Sequence, residues 1–342
     1  MSRPATHNSI FPPRALLPAV SARTVTPRWR RVLAVLPAVL IVAALVALVY
    51  KVDHAYTPAL RRVPLALHWG TLLLASAVWL SGYTQLVQLW GASLAWWGSP
   101  PLRWRPALRV FCVSNLARYI PGAVWQFAGL AALASAEGVS PAAASVGVLL
   151  EQVVLLATGL ALVLSVAPSF LANWTHGLGV GAQLAIAVLL IAALVIGLPR
   201  ALPRVRTWAE RVVKRPLPLP AIPQGPFAVY VIRGALSWVI YGVAFWLFAR
   251  ALMGPAAPGV WLSATAYVAS YLVGLLAVVA PGGIIVREGA LVLCLTSTIG
   301  AQPALILAVM SRLWLIALEV LAALVVLSAD AIRQRLRIRM TN

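Results

Sequence analysis

Six ionisable residues stand where hydrocarbon is expected. Arg118, Arg287 and Arg312, with Glu151, Glu288 and Glu319, all fall inside long apolar stretches of the sequence. Such a charge costs about 2.5–3.5 kcal/mol at mid-membrane on insertion scales, so unpaired burial is disfavoured. Three of them sit at helix breaks, in Asn115-Leu116-Ala117-Arg118-Tyr119-Ile120-Pro121-Gly122 and in Ala280-Pro281-Gly282-Gly283-Ile284-Ile285-Val286-Arg287-Glu288-Gly289. Proline removes a backbone donor and clashes with a continuing helix, while glycine lets the chain turn sharply. Half-helices that begin after Pro121 and Pro281 would present free N–H groups and partial positive charge. Beside Arg118 and Arg287, that chemistry suits a phosphate or another anionic headgroup. The candidate headgroup-binding residues are therefore Arg118, Tyr119, Pro121, Gly122, Trp125, Gln126, Gly282, Gly283, Arg287 and Glu288.

Glu151, Arg312 and Glu319 form a secondary set of intramembrane charges, and Glu288 and Glu151 are expected to balance or gate Arg118 and Arg287. Arg312 and Glu319 are seven residues apart, close to two helical turns, and so share one helix face. The alternative is that all these charges neutralise one another and serve only to fix helix packing. Trp125 reads more simply as a packing residue or interfacial anchor than as a headgroup stacker. Gln126 can serve either a headgroup or a facing helix.

The elements that must position these residues are membrane helices. Of 342 residues, 62% are hydrophobic and only 10% charged, and the mean hydropathy is +0.93. Soluble domains are nearer half apolar and a quarter charged. The formal charge of +20 comes from 27 basic and 7 acidic residues, and Lys51 and Lys214 are the only lysines. The basic residues lie in loops beside apolar spans, which fits membrane orientation and anionic lipid surfaces rather than nucleic acid. Cys112 and Cys294 allow no metal cluster, and His7, His54, His68 and His176 form no ligand pattern. No cofactor is expected. A phosphate-binding loop of the G-x-x-x-x-G-K-S/T type is missing from the sequence, so any transport is passive, ion-coupled or driven by a partner.

The fold class is all-α and polytopic. Residues 1–31 read as a disordered basic tail, 32–328 as the transmembrane domain, and 329–342 as a basic C-terminal tail. Residues 199–226, rich in Arg and then in Pro, read as a cytoplasmic loop between two halves. Apolar segments occupy 32–50, 65–90, 107–133, 141–166, 178–198, 227–249, 260–280, 284–299 and 303–328. The expectation is about seven or eight crossings plus one or two re-entrant segments. With 107–133 alone re-entrant, eight cross and both termini are cytoplasmic, as the charges require. Paired breaks in corresponding halves point to an inverted repeat.

The first break resembles the N-x-x-K/R-Y-I-P-G-x-V-W element of the lysylphosphatidylglycerol synthase transmembrane-region family, a flippase-like group of bacterial and archaeal membrane proteins. Pro281 to Gly289 resembles its second element, P-G-G-x-G-x-R-E-G/A, with Ile285 where the family often has glycine. The resemblance implies translocation across the plasma membrane of an anionic phospholipid, such as aminoacylated phosphatidylglycerol, or of a polyprenyl-linked glycan lipid. It implies membrane lipids as partners, together with a separate aminoacyl- or glycosyl-transferase. Full synthases of the family carry a soluble aminoacyl-transferase domain after the membrane part; residues 329–342 are too few for one, and no enzyme activity is expected in this chain. The rival expectation is a non-transporting scaffold for envelope lipid or glycan synthesis, acting through the basic loop.

Overall fold

A computed structural model describes residues 67–119, 124–166, 179–214, 222–276 and 285–341, all of them helical or in short connections. The helices are α1 (Trp69–Leu94), α2 (Trp104–Leu116), α3 (Val124–Ala136), α4 (Pro141–Val166), α5 (Val180–Ala192), α6 (Leu198–Val213), α7 (Gln224–Met253), α8 (Val260–Leu276), α9 (Val286–Ile299) and α10 (Ala301–Thr341). A π-helical segment, Ala193–Gly197, joins α5 to α6. Five continuous stretches are long and apolar enough to cross a bilayer: Trp69–Trp97, Pro141–Ser165, Val180–Val212, Gln224–Ala256 and Ala301–Arg333. They account for the expected segments at 65–90, 141–166, 178–198, 227–249 and 303–328. The segment 32–50 and the basic N-terminal tail lie outside the described residues.

Close helix approach organises the interior. α1 and α7 run antiparallel. At one end the His68 N–H donates to the Ala251 carbonyl at 2.9 Å. Further along, Gln85 Nε2 donates to the Arg233 carbonyl at 2.7 Å and to Ser237 Oγ at 2.9 Å. α4 runs parallel to α7: a Cβ on Gly234 would lie 2.8 Å from Val154, and one on Gly159 would lie 3.0 Å from the Trp238 indole. Trp238 Nε1 donates to the Leu155 carbonyl at 3.0 Å. In lipid, where apolar side chains gain nothing by leaving water, such backbone proximity and interhelical bonding hold helices together. Trp90 and Trp97 lie near the end of an apolar run, a usual place for interfacial anchors, yet are 0% and 7% exposed within the helix bundle. Trp90 Nε1 donates to the Ala144 carbonyl at 3.1 Å, so its polar edge is satisfied inside.

The two broken segments become two hairpins. In the first, α2 and α3 fold back on each other. Gln126 Nε2 donates to Asn115 Oδ1 at 2.7 Å, and Gly129 faces Ser114. Their open ends share one side, because Arg109 pairs with Glu137 just past α3 and with Asp330 of α10 at 3.6 Å. In the second, α9 folds back on α8, with Arg287 Cβ 3.0 Å from where a Cβ on Gly274 would stand. With 13, 13 and 14 residues, α2, α3 and α9 are about 20 Å long, short of the ~30 Å hydrocarbon core.

α9 then turns tightly into α10 at Gly300, whose φ of +83° is natural only for glycine. Glu288 and Arg312 each lie twelve residues from this turn, and the antiparallel packing brings them together.

Gly242 allows the tightest packing between α7 and α8: an added Cβ would stand 2.6 Å from Ala264 Cβ and 3.0 Å from Ala264 Cα. Backbone cannot move aside as a side-chain tip can. Gly242→Ala should therefore destabilise the protein by about 1–3 kcal/mol, read as a lower melting temperature in detergent. An unchanged melting temperature would show that α7 and α8 do not approach this closely.

Candidate functional site

The two hairpins meet at α10. From the first, the 3-10 turn Ala117–Tyr119 carries Arg118 and Tyr119 away from the end of α2. Arg118 Nη2 pairs with Glu319 Oε1, and the Tyr119 hydroxyl donates to Glu319 Oε2 at 2.9 Å. One carboxylate on α10 thus receives two donors from the first break. Arg312, two turns earlier on the same face of α10, lies with its guanidinium carbon 5.5 Å from the Tyr119 ring centre. The Arg118 guanidinium carbon is 5.6 Å from the same centre. These are cation–π distances, with Tyr119 serving both cations.

From the second hairpin, Glu288 Oε1 pairs with Arg312 Nε at 3.7 Å. Glu288 Oε2 also accepts the Ile285 N–H at 2.6 Å, so this acid holds the first turn of α9 closed. Arg287 points the other way, its guanidinium carbon 4.9 Å from the Tyr267 ring centre and 5.4 Å from that of Tyr271. Arg118 and Arg287 both lie within electrostatic range of Arg312. Among the described residues the cluster therefore gathers Arg118, Arg287 and Arg312 against Glu288 and Glu319, three positive charges against two negative ones. Among the described residues no carboxylate lies within ion-pair distance of Arg287.

Of the expected site residues, Arg118, Tyr119, Arg287, Glu288, Arg312 and Glu319 come together. Gln126 belongs to an adjoining network in which Asn115 Nδ2 donates to the Tyr83 hydroxyl at 2.8 Å while Asn115 Oδ1 accepts from Gln126. Trp125 lies on the outside of α3, 51% exposed. Glu151 makes no contact with the cluster's arginines and is buried elsewhere on α4. Pro121, Gly122, Gly282 and Gly283 lie outside the described residues. Tyr267 and Tyr271 had not been anticipated. Their signal was a pair of hydroxylated rings four residues apart within an apolar helix, which places both on one face. Among the described residues no group of three or more His, Cys, Asp or Glu could hold a metal.

An all-α, polytopic membrane protein whose intramembrane arginines gather at paired helix breaks is the class this arrangement defines. Residues 33–323 match the family model described as the lysylphosphatidylglycerol synthase TM region, and the chain belongs to that family. The match is to the membrane region of that enzyme class. No curated protein matches the chain.

Ile285 explains the family's frequent glycine. It sits at φ +74°, ψ −47°, a conformation rarely adopted by a β-branched residue, immediately before α9. Its side chain is 79% exposed, so nothing it packs against offsets that conformation. Ile285→Gly should stabilise the protein by about 1 kcal/mol, visible as a raised melting temperature. A lowered one would mean that Ile285 is not strained.

The Arg118–Glu319 pair bridges residues 201 apart in sequence. Removing one partner of a buried pair costs about 3–5 kcal/mol, and about 2 kcal/mol is expected for Glu319→Gln because Arg118 remains a quarter exposed. Arg118→Gln combined with Glu319→Gln should lose less stability than the two losses added, by about 1 kcal/mol or more. Strict additivity in this double-mutant cycle would break the bridge between the first hairpin and α10.

Proposed function

We propose that this chain translocates an anionic lipid, a phospholipid or a polyprenyl-linked glycan lipid, and that the cluster of Arg118, Arg287 and Arg312 receives its phosphate. The observation that carries this reading is the meeting of both breaks at one intramembrane cluster with a positive charge in excess. Arg287 is the principal headgroup ligand. Tyr267, which also hydrogen-bonds the guanidinium, and Tyr271 hold it in place without bringing a negative charge, so its other N–H groups can serve a phosphate. Arg118 and Arg312 share Tyr119 and the two glutamates. A phosphate entering the cluster competes with Glu319 and Glu288 for the same donors and loosens the bridges to α10.

The hairpins also supply a topology for this task. The first opens toward the side that carries Arg109, Glu137 and Asp330. The second opens toward the Gly300 turn at the other end of α10. With 32–50 as a first crossing, six helices cross: that segment, α1, α4, α5, α7 and α10. Both termini are then cytoplasmic, as the arginine-rich tails require. The pairing of 260–280 with 284–299 replaces two of the eight expected crossings by one re-entrant hairpin. Two hairpins that enter from opposite faces give the headgroup a polar meeting point near mid-membrane. A separate aminoacyl- or glycosyl-transferase would then make the lipid that this chain moves.

In proteoliposomes holding the full chain, Arg287→Ala should slow movement of the transported lipid about tenfold or more, since a hydrogen bond to a charged group is worth about 1.5–3 kcal/mol. Arg287→Lys, which keeps the charge but not the planar fork, should fall between. The assay takes labelled phosphatidylglycerol, its lysylated form and a polyprenyl-phosphate sugar in separate vesicles. If Arg287→Ala matches the wild type for whichever of them moves, the site assignment is wrong.

A further inference from the structure

Glu151 is the intramembrane charge that the cluster does not absorb. It lies in α4, 1% exposed, with both carboxylate oxygens buried and without a hydrogen-bond partner. No other carboxylate among the described residues is in that position. Its level in the bundle is fixed by the contacts between α4 and α7. Val154, three residues on, meets Gly234, while Tyr230 lies one turn before Gly234. The Tyr230 hydroxyl is likewise buried and without a partner. Three orphaned oxygens, two on Glu151 and one on Tyr230, therefore sit at the same level of adjoining helices, in a seam closed above them by the Val154–Gly234 and Gly159–Trp238 contacts.

A carboxylate buried with no donor and no cation beside it does not persist in an apolar interior; it takes up a proton instead. Among the described residues packed against α4, no cation or hydrogen-bond donor reaches the carboxylate. α4 packs against α1, α3, α5, α7, α8 and the 3-10 turn Ala95–Trp97. Of these, α3, α5 and the turn hold no titratable side chain, and α1 holds only Tyr83. α7 presents Tyr230 and Tyr241, and α8 presents Tyr271, all within electrostatic range of Glu151. Tyr267 of α8 stacks toward Arg287. The nearest cation on α7, Arg233, donates its Nη2 to Gln88 Oε1 of α1 at 2.6 Å.

We propose that Glu151 is a proton-binding site that couples lipid movement to a transmembrane proton gradient. This rests on the lipid-translocation reading for what is coupled, but not for the site itself. In the conformation described, the carboxyl group holds its proton. When the α4–α7 seam parts, water reaches the group, the O–H bond breaks and the proton passes to that water. The seam recloses only when the carboxyl has taken a proton from water again. Opening to one face and closing from the other moves one proton per cycle. The chemical class of the ligand is a proton, and its exchange is tied to the conformational step.

The experiment uses the full chain in proteoliposomes, with a pH difference across the bilayer that can be imposed, reversed or abolished. Wild-type lipid movement should change about threefold or more when the gradient is imposed, because a ligand shifts a conformational equilibrium by its differential affinity for the two states. Glu151→Gln, fixed in a proton-bearing shape, should keep lipid exchange at equal pH within about twofold of wild type and lose the gradient response. Glu151→Asp should retain a response of reduced size. A Glu151→Gln response equal to wild type would overturn the proposal. So would wild-type movement indifferent to the gradient, although lipid translocation would then stand. If no lipid moves at all, the translocation reading fails and the site is judged by infrared difference spectroscopy on the same preparations. A protonated-carboxyl C=O band present in wild type at neutral pH and missing from Glu151→Gln supports the proton site; no such band overturns it.

Discussion

Everything at the centre of this protein depends on the cost of charge in hydrocarbon. An arginine carried into a bilayer must find a carboxylate, a ring face or water, and helices are held where those partners can reach it. Glu319 is the clearest case. Its two oxygens take Arg118 and Tyr119 from a hairpin about two hundred residues away in sequence, so a single side chain of α10 fixes where the first break comes to rest. Glu288 does the same for the second break at closer range. It holds the start of α9 with one oxygen and Arg312 with the other. The charges thus position the hairpins as much as the hairpins position the charges.

That mutual dependence bears on the choice between a binding site and a set of structural ion pairs. If the charges served packing alone, full neutralisation would be the most stable outcome, since each unmatched charge raises the energy. Among the described residues the cluster instead sets three guanidiniums against two carboxylates, and Arg287 is held by two tyrosines rather than by an ion-paired acid. A ring face steadies a guanidinium at about 0.5–2 kcal/mol, enough to orient it and too little to compete with a phosphate. An unneutralised, oriented and partly accessible cation is what anion recognition requires. It is a poor choice for packing.

The sequence made the composition of the site legible but not its wiring. Arg118, Arg287 and Glu288 stood out because charge and helix breaks are local signals, and Arg312 and Glu319 because a seven-residue spacing puts them on one face. Which acid would meet which arginine depends on how two hairpins dock on α10, and no local pattern encodes that. Tyr267 and Tyr271 were hidden for a related reason: a tyrosine in an apolar helix reads as core until a cation is found beside it. A tryptophan near the end of an apolar run reads as an interfacial anchor, yet Trp90 is buried. Only the neighbouring Ala144 carbonyl reveals why it can be buried. The segments 260–280 and 284–299 each carried enough apolar length to suggest crossings. Their relation to each other appears only in the packing of Arg287 against Gly274.

Ile285 joins these observations. The first N–H groups of α9 have no intrahelical acceptor and, in an apolar setting, need one from the protein. Glu288 supplies it, but only if residue 285 takes a backbone conformation that brings its N–H over the carboxylate. That conformation has positive φ, which glycine adopts freely and isoleucine only under constraint. The same Glu288 carboxylate lies within ion-pair distance of Arg312 on α10. An anion that draws Arg312 away from Glu288 would loosen the carboxylate and with it the strained turn. On the proposed reading, the second break would in this way be coupled, through one side chain, to the occupancy of the cluster it helps to build.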